Sequence, residues 1–205
     1  MAKTLVLYFS VYGTAKKTAE EIAKQTGGDL VEIQPMVPYD SNRDHYNAFA
    51  LIYRAGYETG PEDLARAIAY IFEHADELEV DTSDYSLWGG SAGARLAAWL
   101  GSNGTANYGE RSYPHPAAVI MPYTALSEVT GKKPAIYNCV GTRDGIAPYT
   151  FMRKRLNRIN ASGTDTMIEV FDGLSHGFGI GTGTVAEGWV DHAVAFWERN
   201  RKNMG

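Results

Sequence analysis

The chain has 205 residues, 44% of them hydrophobic, enough to bury one sizeable core and cramped for two, so a single domain over residues 1–205 is expected. A formal charge of -5 with a pI near 5.5, and no Lys/Arg cluster interleaved with aromatics, excludes the electrostatic footprint of a nucleic-acid binder. The opening apolar run is too short for a signal sequence and no run approaches the ~20 residues of a membrane span, which predicts a cytoplasmic protein with no membrane partner.

Strand and helix signals alternate from end to end, the pattern of a doubly wound, mostly parallel sheet of about seven strands with helices on both faces. Thr4 to Phe9 reads as a buried strand. Thr14 to Thr26 follows as a helix, with alanines and Ile22 on one face and charged residues on the other, and Gly27-Gly28 stops it. Asp29 to Gln34 is a second strand, and the Pro-rich stretch from Pro35 to Asp44 is the most irregular segment. Phe49 to Tyr53 restarts the strand pattern. The next helix has Pro61 at its first position, Glu62 and Asp63 in its first turn, and Leu64, Ile68, Ile71, Phe72 and Leu78 at helical spacing.

Tyr85 to Trp88 forms a short apolar strand that runs into Gly89-Gly90-Ser91-Ala92-Gly93 and then the helix former Ala94 to Leu100. Strand, G-x-S-x-G, helix is the order of a nucleophile elbow. There a serine sits on a strained turn, the flanking glycines relieve clashes, and the helix N-terminus aims its N–H groups at a substrate oxygen. Gly101 to Pro116 reads as a long loop rich in Gly, Asn, Tyr and Pro. Strands at Ala117 to Met121, Ala135 to Val140 and Thr166 to Phe171, a helix at Tyr149 to Ile159 and a last helix from about Ala186 to Lys202 complete the alternation. Val185, Trp189, Val190, Ala193, Phe196 and Trp197 form one broad core face.

Two later strands close on polar turns. Gly141-Thr142-Arg143-Asp144 ends one, and Gly173-Leu174-Ser175-His176-Gly177 ends another. Serine, acid and histidine in that chain order, each at the C-terminal end of a strand, is the order a strand-borne catalytic triad requires. Asp172 stands four residues before His176 and is the competing acid, but Asp172-Gly173 is a good turn pair in its own right, so Asp144 is preferred. His45, His74, His115 and His192 occupy linker, helix or inter-proline positions. None pairs with another at i, i+4 beside a carboxylate, so no metal site is expected. Cys139 is the lone cysteine and reads as a buried strand residue. Tyr12 and Trp88 are candidate pocket residues, Trp88 fitting a core role better.

From about Ala48 onward, FALIYRAG, EDLARAIAYIFEHADEL, SLWGGSAGARLAAWLG, YNCVGTRDGIAP and FDGLSHGFG resemble an α/β-hydrolase of the small esterase/lipase kind. The resemblance implies Ser91 as nucleophile, His176 as general base and then acid, and Asp144 as the group that orients the imidazole, acting on a small-molecule ester without a cofactor. Residues 1–47, TLVLYFSVYGTAKKTAEEIAKQTGGDLVEIQPMVPYD at their centre, are similar instead to the opening of a flavodoxin. That likeness implies a phosphate loop with Ser10, Gly13 and Thr14 as FMN contacts, and Tyr12 and Ala15 stand where small hydroxyls are usual. The chain thus reads as a hybrid of two doubly wound folds.

Esterases of this kind carry an HGGG-type loop that gives one N–H to the oxyanion hole, and no His-Gly-Gly run precedes Ser91. If Thr4 to Phe9 lies beside the elbow strand, the loop at Ser10 to Thr14 occupies that place, and the backbone N–H groups of Ala92 and of Tyr12 become the expected donors. Hydrolase order would set the Phe49 to Tyr53 strand one place from the elbow strand and flavodoxin order would set it adjacent; the crossover helix favours the former. Three functions follow: a slow serine ester hydrolase, an FMN-binding electron-transfer protein, or a folded inactive scaffold. Weak FMN binding or none is expected, with phosphate or sulfate the better ligand for the N–H groups of residues 11 to 15.

Overall fold

The computed structural model describes residues 5–8, 14–32, 60–82, 84–124 and 133–201. Two parallel strands, β1 (Leu5–Tyr8) and β2 (Asp29–Glu32), flank helix α1 (Thr14–Thr26) and pair from Leu5 opposite Asp29 to Tyr8 opposite Glu32. After α2 (Gly60–Glu73) come β3 (Ser86–Trp88), α3 (Ala92–Asn103), a short 3-10 helix (Thr105–Tyr108), β4 (Ala118–Ile120), β5 (Ala135–Gly141), α4 (Tyr149–Ala161), β6 (Thr166–Phe171) and α5 (Trp189–Arg201). Strands β3, β4, β5 and β6 form a four-stranded parallel sheet in that order.

Right-handed crossovers put helices on the two faces of such a sheet, and the core divides accordingly. On one face Val6, Ala19 and Ile22 meet Ala118, Ile120, Tyr137 and Cys139 together with Trp189, Ala193, Phe196 and Trp197 of α5. On the other face Ala65 and Ile68 of α2, Ala94 to Leu100 of α3, and Met152, Leu156 and Ile159 of α4 enclose Leu87, Val119 and Ile136. The strands serve both faces by alternation: in β5, Tyr137 points to the first and Ile136 to the second. Every residue of β5 is buried, so it is the spine of the sheet.

The α/β class and parallel strand pairing expected from the alternation are present, with six strands, in sheets of two and four, among the described residues where a single sheet of about seven was expected. The strand expected at Phe49 to Tyr53 lies outside them. The loop expected over Gly101 to Pro116 begins later, because α3 runs on to Asn103 and the 3-10 helix follows. Gly101 is a helical residue there: a Cβ on it would stand 2.7 Å from Val119 Cγ2, so glycine marks a close approach of α3 to β4, not a helix stop. Helix α2 ends at Glu73, and Leu78 lies in the turns beyond it. Val185 is 64% exposed and does not belong to the core face assigned to it. The helical period starts only at Trp189, after a turn in which Glu187 N–H donates to Thr184 O at 3.1 Å.

Candidate active site

The C-terminal ends of β3, β4, β5 and β6 share one rim because the strands are parallel, and each delivers a turn to it. Ser91 follows β3 with φ 53° and ψ -115°, a conformation costly for a residue with a side chain. Its N–H donates to Pro122 O at 3.2 Å in the turn after β4, and α3 starts at the next residue. Gly89 is required here, since a Cβ on it would lie 2.3 Å from the carbonyl oxygen of Gly93. Gly93 itself faces open space, so the clash expected of both flanking glycines holds for only one of them.

Asp144 leaves the end of β5 and is buried. Its Oδ1 accepts the N–H groups of Ile146 at 2.9 Å and Ala147 at 2.7 Å, which fixes the carboxylate and satisfies it away from water. The turn carrying His176 follows β6 and is tied to the turn carrying Asp144. Arg143 N–H donates to Leu174 O at 2.9 Å, and Gly141 leaves room for that carbonyl, which a Cβ would meet at 2.0 Å. The three side chains expected to meet do so. His176 Nε2 stands 2.9 Å from Ser91 Oγ, and His176 Nδ1 stands 2.8 and 3.0 Å from the two oxygens of Asp144. Burial is graded along the row, with the Asp144 side chain fully covered and that of His176 20% exposed.

Asp172, the rival acid, is engaged elsewhere: Thr142 Oγ1 donates to its Oδ1 at 3.0 Å, and Gly173 N–H donates to the same threonine oxygen at 2.8 Å. Ala92 opens α3, where N–H groups have no helical acceptor. Ser10, Tyr12 and Gly13 lie outside the described residues, and Thr14 is the first residue of α1. Trp88 packs in the core near Trp189, its indole N–H donating to Ser86 Oγ at 2.8 Å. Burial pushes the Cys139 thiol well up from its ordinary value, in keeping with a strand core residue. Among the described residues no group of His, Cys, Asp and Glu is clustered to hold a metal ion, and no helix is long and apolar enough to cross a membrane.

One residue of this rim was not anticipated from the sequence. Tyr123, after β4, is buried and has φ 40°. Its ring lies edge to face with His176 at 5.4 Å and with Phe178 at 5.0 Å.

Comparison with known proteins agrees with this architecture. The model of the BD-FAE family, of α/β-hydrolase type, matches residues 46–125, a span that opens beside the expected start of hydrolase-like sequence and includes Ser91 and Tyr123. No curated protein sequence matches the chain. Among solved structures, a truncated carbohydrate esterase from gut microbiota is similar at 14% identity and a TM-score of 0.70, over 98% of this chain and 86% of that one. A sugar hydrolase from Lactococcus lactis is similar at 15% identity and a TM-score of 0.71, over 100% and 92%. The propionate-bound esterase 2 of the planctomycete Thermogutta terrifontis is similar at 18% identity and a TM-score of 0.67, over 96% and 83%. The fold is that of an α/β-hydrolase.

Proposed function

We propose that the chain is a serine ester hydrolase acting through an acyl-enzyme on Ser91. The observation that carries the reading is the unbroken row from Ser91 Oγ through both ring nitrogens of His176 to the buried Asp144 carboxylate. Such a row does what a lone serine cannot. As Ser91 Oγ attacks the ester carbonyl, His176 Nε2 takes its proton; Asp144, bonded at Nδ1, holds the tautomer that leaves Nε2 free to accept and stabilises the imidazolium that forms. When the tetrahedral intermediate collapses, His176 returns the proton to the departing alcohol. Water then repeats the sequence on the acyl-enzyme and releases the acid.

The negative oxygen of the intermediate needs donors already in place. Ala92 N–H at the start of α3 is one, and in this reading a backbone N–H near Tyr12 is the other. The loop at residues 10–14, flavodoxin-like in sequence, thereby serves the hydrolase, and no step calls on FMN. Likeness to esterases over nearly the whole chain, the N-terminal part included, supports this use of the first strands over flavin binding. The loop at residues 10–14 is of a kind suited to phosphate and stands in for an HGGG-type loop, so its N–H is expected to serve the oxygen poorly and turnover to fall about 10²- to 10³-fold below that of an esterase with a well-aimed hole. The test is hydrolysis of a short activated ester such as nitrophenyl acetate: slow turnover abolished by Ser91→Ala supports the reading, and turnover that survives the substitution rejects it.

A further inference from the structure

The elbow contains a glycine its backbone does not need. Gly90 has no left-handed φ, unlike Ser91 beside it, so an L side chain is conformationally acceptable there. What excludes one is Tyr123. A Cβ on Gly90 would lie 2.8 Å from Tyr123 Oη, 2.9 Å from Cε2 and 3.0 Å from Cζ. The tyrosine ring therefore occupies the space a side chain would take immediately before the serine, while its other contacts run to His176 and to Phe178, two residues farther along the same turn. Phe178 is in turn held edge to face by Phe171 at the end of β6, at 5.7 Å.

Tyr123 is also held in a conformation that costs energy. With Ser91 and Glu79 it is one of three non-glycine residues with positive φ among those described, and two of the three meet at this rim. The peptide group leading into Tyr123 is held at both of its ends: Tyr123 N–H donates to Cys139 O at 2.7 Å, and the preceding carbonyl, Pro122 O, accepts the N–H of Ser91. The strained serine and the strained tyrosine are thus adjacent parts of one hydrogen-bonded unit.

We propose that Tyr123 is a positioning residue for His176, its ring fixing the imidazole against Ser91 while Gly90 supplies the room that ring needs. The proposal rests on the serine hydrolase reading above. Bonds at its two ring nitrogens hold the imidazole along the line from Asp144 to Ser91 but leave it free to tilt about that line, and an aromatic neighbour packed edge to face removes the freedom. Ring contact, not the hydroxyl, does this. Burial pushes the Tyr123 phenol up to about 12, so it neither gives nor takes a proton in the working range.

The experiment measures phosphonylation of Ser91 by a fluorophosphonate, and kcat and KM for nitrophenyl acetate, in the parent protein, Tyr123→Phe, Tyr123→Leu, Gly90→Ala and the double variant Gly90→Ala/Tyr123→Leu. Loss of orientation at a catalytic base costs about 10- to 100-fold in rate. That loss is expected in kcat and in labelling for Tyr123→Leu and for Gly90→Ala, with KM nearly unchanged and Tyr123→Phe close to the parent. The double variant is expected to be no slower than Tyr123→Leu, since Gly90→Ala acts only by displacing the ring. Gly90→Ala reaches the same contact from the other side, so the test stands even where Tyr123→Leu fails to fold. Parent-like labelling in Gly90→Ala or in folded Tyr123→Leu overturns the proposal, as does a Tyr123→Phe variant as slow as Tyr123→Leu, or an effect confined to KM. A parent protein not labelled at Ser91 overturns the hydrolase reading itself.

Discussion

Asp144 presents both carboxylate oxygens to His176 Nδ1, at 2.8 and 3.0 Å, while the N–H groups of Ile146 and Ala147 hold Oδ1 from the other side. The carboxylate is therefore fixed before the imidazole arrives, and it acts as an orienting group with little freedom of its own. Asp144→Asn keeps the shape but offers Nδ1 an amide that can favour the wrong tautomer. In a working triad this change lowers kcat by about 10⁴. A comparable loss is expected here in ester turnover, with the folded structure retained by circular dichroism.

Asp172 gives the contrasting case. It bonds to Thr142 and makes no bond to His176, so Asp172→Asn is expected to leave turnover near that of the parent and to cost about 1 kcal/mol or less of stability. A loss of activity approaching that of Asp144→Asn would show that the acid had been assigned to the wrong turn.

Two glycines, each two residues from Arg143, separate packing from conformational need. Gly141 faces Leu174 O, which a Cβ would meet at 2.0 Å, whereas nothing lies within 4 Å of a Cβ on Gly145. Backbone has to move for Gly141→Ala, and a cost of about 3 kcal/mol is expected together with a displaced histidine turn and lost activity. Gly145→Ala is expected to change stability by about 0.5 kcal/mol or less. Denaturant midpoints of the two variants decide the matter.

Alkaline pH probes the buried phenols. Desolvation raises Tyr85 and Tyr137 well above the ordinary value of 10.0 and takes Tyr123 up to about 12. Below about pH 10 folded and unfolded chains both keep these protons, so the groups make stability neither rise nor fall. As pH climbs from there toward the folded-state values, the unfolded chain releases protons that the folded chain still holds, and stability falls. Urea midpoints are expected to begin falling above about pH 8.5, where only the unfolded chain ionises Cys139, and to drop more steeply above about pH 10 as the phenols join it. A midpoint unchanged at about pH 11 would contradict the burial of these three rings.

Much of the site is legible in the sequence because parallel strands bring their C-terminal turns to one rim, and each turn announces itself: G-x-S-x-G at Ser91, a Gly-Thr-Arg-Asp turn at Asp144, a Gly-Leu-Ser-His turn at His176. Periodicity likewise locates α1, α4 and most of α5. What periodicity cannot supply is contact between elements. Gly101 looks like a helix stop because helix breakers and close-approach glycines are spelled with the same letter, and only the 2.7 Å distance to Val119 tells them apart. Val185 continues an apolar stripe on paper, but a stripe has meaning only where the chain is helical, and the helix begins at Trp189. Tyr123 carries no local signature at all. Its trace was the glycine at position 90, an unneeded small residue inside the elbow, and recognising it requires knowing which ring fills the space.

The claim on which the rest depends is that Ser91 is a nucleophile activated by His176. Mass spectrometry of the intact protein and of its peptides after fluorophosphonate treatment measures this directly. One adduct per chain, on the peptide bearing Ser91, lost in Ser91→Ala and strongly slowed in His176→Ala, is the predicted result. An adduct on another residue, or Ser91 labelling that is indifferent to His176, would contradict it.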